Sequence, residues 1–167
     1  RAYFDKITEE LVDPERLASS SNQFLQKIAA AYRAYEEALF ANNRTDFAHL
    51  QSIVHGLLTV PTTRKTITKD IKYILVDEYQ DTNYVQEQLL LKLAEDTSNL
   101  CVVGDEDQSL YRFRGATVRN ILEFPMRFPK CPIVRLVTNY RSHRSIVDRY
   151  DRWMASADWS NSRGIPF

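Results

Sequence analysis

Two adjacent carboxylates, Asp77 and Glu78, follow directly on the apolar run Tyr73-Ile74-Leu75-Val76. Such a pair suits metal-assisted transfer of a phosphoryl group to water. One carboxylate holds Mg²⁺, usually through water, and its neighbour orients or deprotonates the water that attacks a γ-phosphate. An acidic pair alone is equally at home solvating a loop, so the chemistry depends on what surrounds it. A second polar cluster, Gly104-Asp105-Glu106-Asp107-Gln108-Ser109, follows a second short apolar run, Asn99-Leu100-Cys101-Val102-Val103. Within it Asp105 and Asp107 are also ordinary turn residues.

The elements that would position these groups are legible in the same stretch. Tyr73 to Val76 predicts a strand buried on both faces of a parallel sheet, with the acids at its carboxyl end, where ligands sit in open α/β sheets. Asn99 to Val103 predicts a second strand. Between them, Val85, Leu89, Leu90 and Leu93 keep helical spacing from Asn83 to Ala94, and Thr82 or Asn83 can cap that helix. Strand, helix, strand is a βαβ unit, whose right-handed crossover brings both polar ends to one sheet edge. Asp77, Glu78 and Gln108 are therefore expected to converge.

The segments VDEYQDTN (residues 76–83), VVGDEDQSLYRFRGA (102–116) and NYRS (139–142) resemble, in order and spacing, motifs II, III and IV of the UvrD/Rep family of superfamily 1 DNA helicases. The likeness runs from about Asp46 to about Asp148. Asp46-Phe47-Ala48-His49-Leu50 is a looser counterpart of an Asp-Phe motif that in many members carries further aspartates at the places of Ala48 and His49, and it is assigned no role. The resemblance implies Asp77 as Mg²⁺ ligand, Glu78 as catalytic base and Gln108 as γ-phosphate sensor. It implies Phe113 as the aromatic on which a single-stranded DNA base stacks, a contact indifferent to sequence, with Tyr111 and Arg114 shaping its coupling to the nucleotide. Tyr140 would stack on the adenine of ATP. Arg141 would reach the γ-phosphate from a neighbouring domain, which suits a permanently charged, planar guanidinium. Residue type alone leaves other readings: Phe113 in a core, Tyr140 at a strand end, and Arg141, Arg144 and Arg149 on an exposed basic helix face.

The implied fold class is α/β: part of a P-loop NTPase, RecA-like parallel sheet with a helical N-terminal region. In residues 1–70, Asp13-Pro14-Glu15 is a helix-start signal, and Phe24, Ile28, Tyr32, Tyr35 and Leu39 keep a helical period until Asn42-Asn43. Thr45 can cap a further helix whose buried stripe is Phe47, Leu50, Ile53, Val54, Leu57 and Leu58, and which Pro61 stops. This region resembles the end of an inserted helical subdomain plus a lead-in helix. Residues 71–138 would be a motor-domain portion with motifs II and III, including a third strand at Ile133-Val134-Arg135-Leu136-Val137. Residues 139–167 would begin a second motor domain: Ser142 can cap a helix to about Met154, and the rest shows no period.

Net charge is zero, with 22 basic and 22 acidic side chains, but the signs are segregated. Residues 69–108 hold 10 acids and 3 bases, whereas residues 109–152 hold 10 bases and 3 acids. An acidic half suits a bound cation and a basic half a phosphate backbone, unless the blocks neutralise each other across the folded surface. No apolar run approaches the ~20 residues that span a bilayer, and no signal peptide is visible, so a cytoplasmic location without membrane contact is expected. Cys101 and Cys131 are expected as buried free thiols, and His49, His55 and His143 form no ligand pattern.

A phosphate-binding loop of the form G-x-x-x-x-G-K-[ST] cradles a triphosphate with backbone N–H groups and a lysine. Of the four glycines here, Gly56, Gly104, Gly115 and Gly164, none precedes Lys. The chain is thus expected to be part of an ATP-dependent single-stranded-DNA translocase or helicase. Its partners would be ATP, Mg²⁺, single-stranded or duplex DNA and the remainder of the parent helicase chain. By itself it is expected neither to hydrolyse ATP nor to unwind DNA. Two alternatives remain: the motor portion of a recombination-repair helicase-nuclease, and a non-catalytic module that holds single-stranded DNA through Phe113 and the basic half.

Overall fold

The computed structural model describes residues 2–108 and 119–156. Among these, five helices precede the first strand: α1 (Ala2–Glu9), α2 (Pro14–Ala18), α3 (Gln23–Ala41), α4 (Phe47–Thr59) and α5 (Pro61–Thr68). Their ends follow local chemistry. Asp13 Oδ1 accepts from Glu15 N at 2.9 Å with Pro14 in the first helical turn, and Asn42-Asn43 closes α3, Asn43 leaving at φ 50°. Pro61 does more than stop α4. It opens α5, where its missing N–H is no loss because first-turn donors have no partner in the helix.

The cap of α4 is Asp46 rather than Thr45: Asp46 Oδ1 accepts from His49 N at 2.7 Å, while the Thr45 hydroxyl donates to Asp46 O. A carboxylate is the better cap, since it also meets the positive end of the helix dipole. Tyr35 OH donates to Asp46 Oδ2 at 2.6 Å, and His49 Nδ1 lies 3.0 Å from Oδ1. The buried Tyr32 hydroxyl bridges His49 Nε2, at 3.3 Å, and the Thr8 hydroxyl, at 2.9 Å, so the cap is latched to α1 and α3. Burial pushes Tyr32 up to about 12. Burial also acts to raise Asp46, but hydrogen bonds from His49 and Tyr35 outweigh it and hold this carboxyl below the ordinary range.

Because the folded state lowers its pKa, Asp46 stabilises fully above the ordinary Asp range and loses that contribution as pH falls through the lower folded value. Asp46→Ala is expected to cost about 1–2 kcal/mol at neutral pH. Urea unfolding from pH 7 down to acid should show the gap between parent and variant closing below about pH 4, and a gap that stays constant would refute the charged cap.

The stripe read on α4 is only partly buried. Ala48 and Leu58 are buried, but Phe47, Leu50, Ile53 and Leu57 are exposed. The helix packs against α1, α5 and α6 (Tyr84–Ala94), which cover a narrower face than the apolar spacing offers.

The strands β1 (Ile74–Val76) and β2 (Leu100–Val102) flank α6 and pair parallel, in the register Ile74 to Leu100, Leu75 to Cys101 and Val76 to Val102. This is the expected strand, helix, strand order and an α/β arrangement in small. Asn83 starts α6 through a reciprocal capping box with Gln86, at 3.0 Å in both directions, and Val85 is buried. Burial of β1 on both faces is not observed. Side chains alternate, so Ile74, Val76, Leu100 and Val102 are half-buried while Leu75 is 78% exposed and Cys101 is exposed with it. The thiols are free, but Cys101 is exposed and Cys131 half-buried, against the expectation of buried ones.

The chain divides into two units, Arg1–Ile121 and Leu122–Phe167. The helix α7 (Arg119–Arg127) contains Pro125, and the Phe124 and Phe128 rings stand 4.7 Å apart. The predicted third strand is not formed: residues 133–137 lie outside any ladder, and Ile133, Val134, Leu136 and Val137 are exposed. Without a neighbouring strand among the described residues, the backbone groups of this apolar run have no ladder to join. The last helix, α8 (Arg144–Ser156), starts after His143, whose Nδ1 accepts from Ser145 N at 3.3 Å, and not from Ser142. No described helix is long and apolar enough to cross a membrane.

Candidate functional site

Hydrogen bonding between β1 and β2 continues past the strands. Val103 N donates to Val76 O at 2.8 Å, and Tyr79 N donates to Val103 O at 2.9 Å. The two polar ends are thereby fastened side by side, as parallel pairing requires. Asp77 is exposed and its Oδ1 accepts from Glu78 N at 2.9 Å. Glu78, also exposed, takes the left-handed conformation, φ 52° and ψ 41°, which costs a non-glycine residue on the order of 1 kcal/mol.

The chain then tightens into a 3₁₀ turn, Tyr79–Asp81, anchored from beneath. Tyr79 is buried and its hydroxyl donates to Glu87 Oε1 at 3.1 Å. Thr82 Oγ1 donates to Tyr79 O, and Asn120 Nδ2 donates to both Thr82 O and Thr82 Oγ1. Asp81 Oδ1 is buried with no hydrogen-bond partner among the described residues. Burial, helped by the charge of Glu78, pushes the Asp81 carboxyl above its usual range.

Gln80 is 1% exposed and joins the two strand ends through its carboxamide. Its Nε2 donates to Glu78 Oε2 at 2.7 Å, and its Oε1 accepts from Asp105 N at 3.0 Å. Asp105 in turn organises its own turn: Oδ1 accepts from Asp107 N at 2.9 Å and Oδ2 from Gln108 Nε2 at 2.7 Å. Gly104 must be glycine for this approach, because a Cβ there would lie 2.6 Å from Gln80 Oε1 and 2.8 Å from Ile121 Cδ1. Glu78 and Gln108 therefore belong to one hydrogen-bonded chain, as their convergence predicted. Gln80 and Gly104 carry that chain, yet residue type and spacing did not single them out.

The donors present suit a hard divalent cation. Asp77 and Glu78 are exposed carboxylates at a strand end, and no group of three or more metal-binding side chains occurs among the described residues. Carboxylate oxygens are the ligand type that Mg²⁺ takes, one or two of them beside water and phosphate oxygens. Tyr111, Phe113 and Arg114 lie outside the described residues. Tyr140 and Arg141 belong to the second unit, where Asn139 Oδ1 accepts from Arg141 N at 2.9 Å and Ser142 N at 3.0 Å. Tyr140 in that turn is 93% exposed and Arg141 is exposed too, both accessible to a ligand.

Residues 1–129 match the family model described as UvrD/REP helicase N-terminal domain. The chain is 40% identical over 144 residues to ATP-dependent DNA helicase PcrA of Staphylococcus epidermidis, an alignment covering 85% of this chain and 20% of that protein. It is 39% identical over 140 residues to PcrA of Bacillus subtilis, covering 83% and 19% respectively. Against ATP-dependent DNA helicase UvrD1 of Mycobacterium tuberculosis it is 38% identical over 153 residues, covering 84% and 20%. The chain thus spans about a fifth of the length of these relatives.

Proposed function

The chain belongs to the UvrD/REP helicase family, and on that premise we propose that it carries the hydrolytic carboxylates of an ATP-dependent motor that moves along single-stranded DNA and unwinds duplex. One observation supports this above others: the polar ends of two parallel strands share a hydrogen-bonded chain from Glu78 through Gln80 and Asp105 to Gln108. The description of the relatives as ATP-dependent DNA helicases supports ATP and DNA as ligands.

In this reading the fold is a P-loop NTPase with a RecA-like sheet. Residues 1–70 are the end of a helical subdomain with its lead-in helix, 71–138 a portion of the first motor domain and 139–167 the start of the second. Asp77 would hold Mg²⁺, which would supply positive charge against the phosphates. Glu78 accepts the proton of the attacking water, and Gln108 contacts the γ-phosphate. Tyr140 stacks on adenine, and Arg141 offers its guanidinium to the γ-phosphate. Phe113 takes a DNA base, with Tyr111 and Arg114 beside it. The phosphate-binding loop is not among these 167 residues, so the isolated chain is expected to be inactive, and the reading carries a cytoplasmic location.

The test uses the full-length protein. Single-stranded DNA should stimulate its ATP hydrolysis, and Phe113→Ala should weaken DNA binding by about 5- to 150-fold. Fluorescence anisotropy at fixed salt reads the affinity, since phosphate contacts respond to ionic strength. Hydrolysis indifferent to DNA, together with unchanged binding by Phe113→Ala, would overturn the assignment.

A further inference from the structure

We propose that Gln80 is a positioning residue that sets the Glu78 carboxylate and the Asp105 to Gln108 turn in a single frame, so that the base and the phosphate-facing carboxamide are aligned together. The proposal rests on the reading of Glu78 as base. Its partners fix the orientation of the Gln80 amide without ambiguity. Asp105 N can only donate, so it takes Oε1, which turns Nε2 toward Glu78 Oε2. At 1% exposure the carboxamide has no water to exchange for either partner. Gly104 leaves room for its close approach, since a Cβ there would lie only 2.6 Å from Gln80 Oε1. The next link holds Gln108 through Asp105 Oδ2, at 2.7 Å. A shift at either strand end is thus carried to the other through two hydrogen bonds.

Three acids stand close to Glu78 in the chain or through its hydrogen bonds. Asp77 precedes it, Asp81 shares its turn, and Asp105 lies across Gln80. Gln80 Nε2–H is the donor that faces the Glu78 carboxylate in this acidic setting. A carboxylate in its place would keep the shape, lose that donor and set a like charge against Glu78.

The experiment compares Gln80→Glu and Gln80→Met with parent and Glu78→Gln, all as full-length protein, by DNA-stimulated ATP hydrolysis at pH 7. Gln80→Glu should lower kcat at pH 7 by about tenfold or more and leave KM for ATP within about threefold. Gln80→Met carries no charge and should lower kcat similarly at unchanged KM, because it too removes the donor and the acceptor that join the two strand ends. Should Gln80→Glu fail to fold, Gln80→Met decides alone. A kcat loss at unchanged KM and unchanged melting temperature supports the role, and an unchanged kcat overturns it. Losses of kcat that merely track a fall in melting temperature and ATP affinity also overturn it. Glu78→Gln separates the two readings: if it stays active, the base assignment fails, whereas if it is inactive and both Gln80 variants behave as parent, only the coupling fails.

Discussion

In the full-length protein, Glu78→Gln is expected to cut kcat for DNA-stimulated ATP hydrolysis by about 10²- to 10⁴-fold, with KM for ATP changed by less than about threefold. The substitution is nearly isosteric. Its carboxamide oxygen can still accept from Gln80 Nε2, so the hydrogen-bonded chain to Asp105 and Gln108 survives. The Asp77 carboxylate, the proposed metal ligand, is untouched, as are the other groups proposed to contact the nucleotide. What disappears is the capacity to take a proton as the water attacks. Steady-state kinetics with and without single-stranded DNA measure the effect, and a variant retaining more than about a tenth of parental kcat would remove Glu78 from the base role.

The second large effect is on stability. Leu58 on α4 is 0% exposed, on the helix that packs against α1, α5 and α6. Leu58→Ala is expected to destabilise the protein by about 2–5 kcal/mol, toward the upper value if the surrounding helices cannot close on the void. Against a total stability of about 5–15 kcal/mol for a typical domain, that is a large share. Its neighbour is the control: Leu57 is 48% exposed, and Leu57→Ala should stay within about 1 kcal/mol. Urea unfolding followed by circular dichroism compares the two, and equal shifts in midpoint would show that Leu58 does not anchor the helical layer.

Features with a local cause were readable before any coordinates. Asp13-Pro14 starts α2, Asn42-Asn43 ends α3, and Asn83 with Gln86 starts α6, each through bonds within a few residues. Parallel strands separated by a helix also follow from pattern, which is why Glu78 and Gln108 could be placed together. Burial was less legible because it depends on which neighbours arrive. Leu50 and Ile53 keep the same spacing as a core residue yet remain exposed, and residues 133–137 have strand composition but no ladder. Pro125 argues locally against α7, which forms around it nonetheless. Gln80 was hidden for a similar reason: its second partner, Asp105, lies 25 positions away, and only the pairing of β1 with β2 brings that N–H within reach.

The left-handed backbone at Glu78 has a consequence for how this position can change over generations. Glycine would relax it by on the order of 1 kcal/mol, and asparagine tolerates the conformation better than glutamate does. Glycine at position 78 would relax the turn, but it would also erase the carboxylate and leave Gln80 Nε2 without its acceptor, so the two effects oppose each other. The acid thus stands against the preference of its own main chain, and the bond from Gln80 is what offsets that preference in the folded turn.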